Sequence, residues 1–182
     1  MSEQATQLVE DAFGRIASNV SMLVDREIGI RDVSVENSTA RPVGEEVVHI
    51  SFKLRFQYPD GEERWGCVLL PLPDARSLAL YLMMFSEDQV GEQRTLDDLD
   101  AATKDALIEL GNFFGAAVDE AVKVEFPDVS VRSAGCQGVR SDVRPAFPHE
   151  EGDELLVASA QAQVHEWPEF RLLAAFPPLS AA

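Results

Sequence analysis

Val48-His49-Ile50-Ser51-Phe52-Lys53-Leu54-Arg55-Phe56 sets an apolar side chain at every second residue, with mostly polar or charged residues between. Side chains of an extended chain alternate between faces, so this stretch reads as a β-strand with one buried side. Pro59-Asp60-Gly61 has turn chemistry, because proline fixes φ and glycine accepts the left-handed region. Trp65, Cys67 and Leu69 continue the alternation in a return strand, which makes a hairpin. Pro71-Leu72-Pro73 stops that strand, and Asp74 is placed to cap a helix running to about Phe85.

Before the hairpin, Leu8, Val9, Ala12, Phe13, Ile16, Val20, Leu23 and Val24 recur at helical spacing between Gln7 and about Arg26. Asp32-Val33-Ser34-Val35 then reads as a short strand, and residues 36–45 as a loop. After the hairpin, residues 86–98 are polar and acidic and read as a linker. A second long helix is predicted from Leu96 or Asp100 to Val124, followed by Asp128-Val129-Ser130-Val131 and a loop over 135–152. A second hairpin carries Leu156, Ala158, Ala160, Ala162 and Val164, turns at His165-Glu166-Trp167-Pro168, and returns through Phe170, Leu172, Ala174 and Phe176.

Both halves share one order: long helix, Asp-Val-Ser-Val, loop, hairpin. Asn19 and Asn112 hold comparable places in the two long helices. The expectation is one α+β domain over residues 1–182, duplicated as helix–strand–hairpin units at about 5–85 and 96–176. Two antiparallel sheet units would each bury a face against the two helices lying side by side.

The 182 residues suffice for such a core, and 46% hydrophobic content is ordinary for a globular chain. The net charge of −17 is not ordinary: 32 acidic side chains face 15 basic ones, of which three are lysines. Such a surface repels nucleic-acid backbones and anionic lipid, which excludes both as expected partners. Cys67 and Cys136 lack metal-ligand or redox spacing, and His49, His149 and His165 come from separate segments, so neither a metal site nor a disulfide is expected. The start, Met1-Ser2-Glu3-Gln4-Ala5-Thr6, lacks a basic-then-apolar leader pattern, and no apolar run approaches the ~20 residues of a membrane span. A cytoplasmic protein is expected.

The chemical interest lies in Asp105-Ala106-Leu107-Ile108-Glu109-Leu110-Gly111-Asn112. On a helix, Asp105, Glu109 and Asn112 project from one face. A carboxylate can hold an ammonium group, and a neighbouring amide can orient a water. The plain alternative is a row of solvated polar residues on an amphipathic helix. Gly111 and Gly115 each cost about 1 kcal/mol relative to alanine in a helix interior, so their shared stripe predicts another element coming close. Leu107, Leu110, Phe114, Ala117, Val118 and Ala121 form the expected core face.

Asp105-x-x-x-Glu109-x-x-Asn112 resembles the signature of the CheC/CheX/FliY family of chemotaxis phosphatases, which reads Asp or Ser, three residues, Glu, two residues, Asn. Leu69-Leu70-Pro71-Leu72-Pro73 before an apolar helix, and the opening helix around Asp11–Val20, are also similar to that family. The resemblance implies dephosphorylation of a phosphorylated CheY-like receiver. Asn112 would orient the attacking water, Glu109 would pair with the receiver's lysine, and Asp105 would contact the partner. It implies no cofactor of the chain's own, the magnesium ion belonging to the receiver, and is compatible with a CheX-like homodimer. Ile16 stands at the position aligned with Glu109, leaving Asn19 without a carboxylate, and Gly135 replaces a proline common in the family. A single site is implied. The rival reading is a non-catalytic receiver-binding or oligomeric module of the same fold.

Overall fold

The computed structural model describes residues 3–179; Met1 and Ser2 of the leader reading lie outside them. In chain order the elements are α1 (Glu3–Val24), β1 (Ile28–Ser38), β2 (His49–Gln57), β3 (Glu63–Pro71), α2 (Leu72–Leu82), α3 (Glu87–Gln93), α4 (Ala101–Glu125), β4 (Ser130–Val139), β5 (Leu155–Val164) and β6 (Phe170–Phe176). The fold class is α+β, as expected. Among the described residues no helix is long and apolar enough to cross a membrane.

The two expected sheet units are one sheet. Its order is β1-β5-β6-β3-β2-β4, with every neighbouring pair antiparallel. The hairpins join where Cys67, Val68 and Leu69 of β3 face Ala175, Ala174 and Leu173 of β6. Each half's first strand crosses to the other half's hairpin: β1 pairs with β5, and β4 with β2. Exchanging the halves reverses the strand order and leaves it otherwise unchanged.

One face of the sheet packs on α1, α2 and α4. Ile50, Phe52, Leu54 and Phe56 of β2 point into this core with Leu156, Ala158, Ala160, Ala162 and Val164 of β5. The Phe52 and Phe114 rings meet edge to face at 4.8 Å. The return strand β3 has the opposite phase from the expected one. Phe52 pairs with Val68 and Ile50 with Leu70, so those residues share the helix-side face. Trp65, Cys67 and Leu69 therefore lie on the far side of the sheet. They cluster there with Leu155, Leu173, Ala175 and Val139 of the same sheet and with Phe147 from a loop. Two long loops clasp over that face, with Arg41 Nη1 donating to the Pro145 carbonyl at 2.9 Å and the Asp142 N–H to the Gly44 carbonyl at 2.9 Å.

Four further expectations need correction. Asp74 does not cap α2: the helix starts at Leu72, behind Pro71, and Asp74 is a buried first-turn residue bonded to Arg94 at 2.8 Å. The acidic linker contains α3, opened by a capping box between Ser86 and Gln89. The strands β1 and β4 outrun their predicted cores, and β4 takes residues 135–139 from the expected loop. The repeated Asp-Val-Ser-Val tetrapeptides are not equivalent. Asp32 sits at a bulge inside β1 with φ of 54°, whereas Asp128 lies in the turn before β4.

Candidate functional site

Helix α4 is held from several sides. The Asp100 carboxylate accepts from the Thr103 N–H at 2.7 Å and satisfies one of the free donors of the first turn. That hydrogen bond keeps the Asp100 carboxyl below its usual range. Gly111 and Gly115 lie against β4. A Cβ on Gly115 would stand 2.7 Å from the Ser133 backbone nitrogen, and one on Gly111 3.2 Å from Phe52 Cδ1 and Ser133 Oγ. The element predicted to approach the glycine stripe is thus a strand. Further along, Asp119 Oδ1 accepts from the Val131 N–H at 2.7 Å, tying helix to strand directly. Burial alone would raise the Asp119 carboxyl. The Lys123 ammonium at 2.7 Å, the Val131 N–H and Arg132 outweigh burial and lower it.

On this fixed helix the outward stripe is Asp105, Ile108, Glu109, Asn112 and Ala116, all exposed. Asn112 Nδ2 donates to Glu109 Oε2 at 3.3 Å. Among the described residues neither Glu109 nor Asp105 forms an ion pair. The ammonium-binding capacity of the acid is therefore free, and the amide still has a donor and an acceptor for a water.

The stripe is a ridge. Surface clefts of about 510 Å³ beside Trp65 and His149 and about 420 Å³ beside His49 and Asp74 are lined by no residue of α4. A ridge presents its groups to something large enough to bring a cavity of its own. No group of three or more His, Cys, Asp or Glu among the described residues could hold a metal ion.

The opening helix differs from the expected alignment by one residue. Ile16, 3% exposed, is a core residue. Matching burial along the helices equates Ile16 with Leu110, Val20 with Phe114 and Val24 with Val118, all buried. The place of Glu109 then falls to Arg15 and that of Asn112 to Ser18, so Asn19 is not the counterpart of Asn112. Arg15 is itself bonded to Asp11 at 2.9 Å and to Glu120 at 3.3 Å. The acid–amide arrangement has no equivalent on α1. Gly135, where the signature family often has proline, has φ of 89° in the bulge of β4 opposite β2, a conformation closed to proline.

No family model matches the chain, and no curated protein matches it in sequence. Solved structures do match it in shape. FliY of Thermotoga maritima is 13% identical over 97% of this chain and 91% of that one, with a TM-score of 0.65. CheX of Desulfovibrio desulfuricans is 12% identical over 92% and 97%, with a TM-score of 0.58. This is the CheC/CheX/FliY fold. The FliM middle domain of H. pylori shares it, at 10% identity over 97% of this chain and 93% of that one and a TM-score of 0.63. The fold therefore spans both chemotaxis proteins and a FliM domain, and what this chain does rests on its own residues.

Three features escaped the sequence reading. Asp119 reads as a solvated helix carboxylate but anchors β4, and only its i, i+4 spacing to Lys123 hinted at an ordered role. Ile108 is an apolar residue on a polar stripe, and the helical period sets it out of phase with the core face of Leu107, Leu110 and Phe114. The phase of α1 was legible from Ile16, since a core isoleucine cannot stand where an exposed glutamate does.

Proposed function

We propose that this protein is a phosphatase for a phosphorylated response-regulator receiver in chemotaxis or related signalling, acting in the cytoplasm. The observation that carries the proposal is the Glu109–Asn112 pair, exposed on a helix anchored by Gly111, Gly115 and Asp119 and engaged with little but each other.

In this reading α4 is laid into the receiver's active site. Glu109 accepts the receiver's lysine ammonium in a charge-assisted hydrogen bond, which seats the helix. Asn112 then accepts a hydrogen bond from a water and points its lone pair in line with the aspartyl phosphorus. An acyl phosphate is intrinsically reactive, so fixing one water in line supplies much of the acceleration. No covalent intermediate forms on this chain, and the magnesium ion is the receiver's. Asp105, one turn before Glu109 on the same stripe, contacts the receiver surface. A homodimer through the edge strand β1, at the far end of the sheet from β4 and α4, is compatible with this activity.

Phosphate release from a panel of phosphorylated receivers encoded near the gene tests the proposal. The wild-type protein accelerates release from at least one. Asn112→Ala lowers the stimulated rate by about 100-fold or more, the scale of losing a positioned reactant, and Glu109→Ala weakens both binding and rate. If Asn112→Ala matches wild type, the mechanism is wrong. The occurrence of the fold in a FliM domain favours one second reading, a module that binds a receiver without hydrolysing it. Binding without acceleration would select that reading.

A further inference from the structure

Two strongly exposed apolar side chains flank the Glu109–Asn112 pair. Ile108 is 49% exposed and Met22 74%. On α4, at about 100° per residue, Ile108 falls on the β4 side of Asn112 and Glu109 on the α1 side. The long helices run antiparallel, for Gln4 bonds to Glu125 while Arg15 bonds to Glu120. Continuing that pairing brings Met22 level with about residues 113–117 of α4, within about a turn of Asn112 on the side away from Ile108. Met22 also lies within about 20° of Gln4 and Arg15 around α1, so it faces the side from which those residues reach α4.

The stripe has no basic side chain, and the chain as a whole carries −17. Long-range charge therefore repels an acidic receiver site, and the short-range pairing of Glu109 with an ammonium works against that repulsion. The exposed apolar side chains beside the pair offer contact area that this repulsion does not weaken. We propose that Met22 and Ile108 are the anchors by which a phosphorylated receiver domain is held across both long helices, with its phosphoaspartate and lysine between them. The assignment rests on the phosphatase reading above. It also specifies the partner: apolar surface on two opposite sides of the acidic pocket.

The test titrates each panel receiver, activated with beryllium fluoride, into the full-length protein by calorimetry, alongside steady-state phosphate release. Met22→Ser and Ile108→Ser each raise Kd and KM about tenfold, the scale of losing one buried apolar contact, with kcat unchanged. Met22→Leu and Ile108→Leu stay within about twofold of wild type, since volume and apolar character are kept. Val124→Ser leaves Kd unchanged, because exposed Val124 stands about 18 Å along α4 from Asn112. Asn112→Ala shows the opposite split, losing kcat and keeping Kd. Wild-type affinity in either serine variant overturns the anchors alone. Failure of wild type to bind any receiver overturns the docking reading and the anchors with it.

Discussion

Replacing glycine by alanine at two helix positions should give opposite signs of stability change. Gly14 lies inside α1, and a Cβ there meets nothing within 4 Å. Gly14→Ala therefore keeps the whole propensity gain, about 1 kcal/mol. Gly115 lies inside α4 with the same propensity to gain, but its Cβ would stand 2.7 Å from the Ser133 nitrogen and 3.3 Å from the Arg132 carbonyl carbon. Both are backbone atoms of β4, which no rotamer change can move. Relief needs α4 and β4 to separate by several tenths of an ångström, against the Asp119–Val131 hydrogen bond and the Phe52–Phe114 contact. Overpacking of that kind costs about 1–3 kcal/mol, so Gly115→Ala loses up to about 2 kcal/mol of stability after the propensity gain is subtracted. The two variants should differ by about 1–3 kcal/mol in urea unfolding, or by roughly 2–12 °C in Tm. Gly111→Ala, meeting a ring carbon and a hydroxyl at 3.2 Å, falls between them. A Gly115→Ala protein as stable as Gly14→Ala would refute the close approach of strand and helix.

Asp119→Asn should cost about 1–3 kcal/mol at pH 7, because a charge-assisted bond to Val131 and the Lys123 pair are both weakened. The folded-state pKa of Asp119 is depressed, so its contribution is present above the unfolded value of about 4 and fades as pH falls through the folded one. The variant and wild-type urea curves should converge in acid; parallel curves would contradict the assignment. Asp74 has the other sign. Burial pushes its carboxyl up to about 6 despite Arg94, so the folded chain holds that proton more tightly than the unfolded one. Its favourable contribution is present below the unfolded value of about 4 and is lost as pH rises to about 6. A carbon-detected NMR titration of the Asp74 carboxyl with a midpoint near 4 would contradict this.

The sequence made the helix-side core legible because β5 and the second half of β2 alternate between buried and more exposed residues, and α1 and α4 keep a helical period. The error on β3 has a physical source. Residues from Cys67 to Pro71 are buried on both faces, so the run carries no alternation from which to read a phase. Only pairing with β2 decides it, and pairing is not a local property. The loops over the outer face were unreadable for the same reason, since Phe147 looks like an isolated aromatic until Cys67 and Ala175 appear beneath it. The short helix α3 has one buried residue, Val90, and so no period, although its Ser86–Gln89 capping box was open to reading. On α4 the stripe of Asp105, Glu109 and Asn112 followed from spacing, and the glycines announced a neighbour. Neither Asp119's hold on β4 nor the pairing of α1 with α4 could be read there, because both depend on where a second element lies.

The crossed placement of β1 and β4 has a consequence for synthesis. Ser34 meets Ser159 across 125 residues of chain. As the polypeptide leaves the ribosome, β1 must wait with both edges open until almost everything else has emerged, and such long-range closure slows folding. Neither half carries a complete set of neighbours for its own strands. Two separately expressed fragments, cut within the 94–99 stretch, should each be poorly ordered alone and should regain the native circular-dichroism spectrum when mixed.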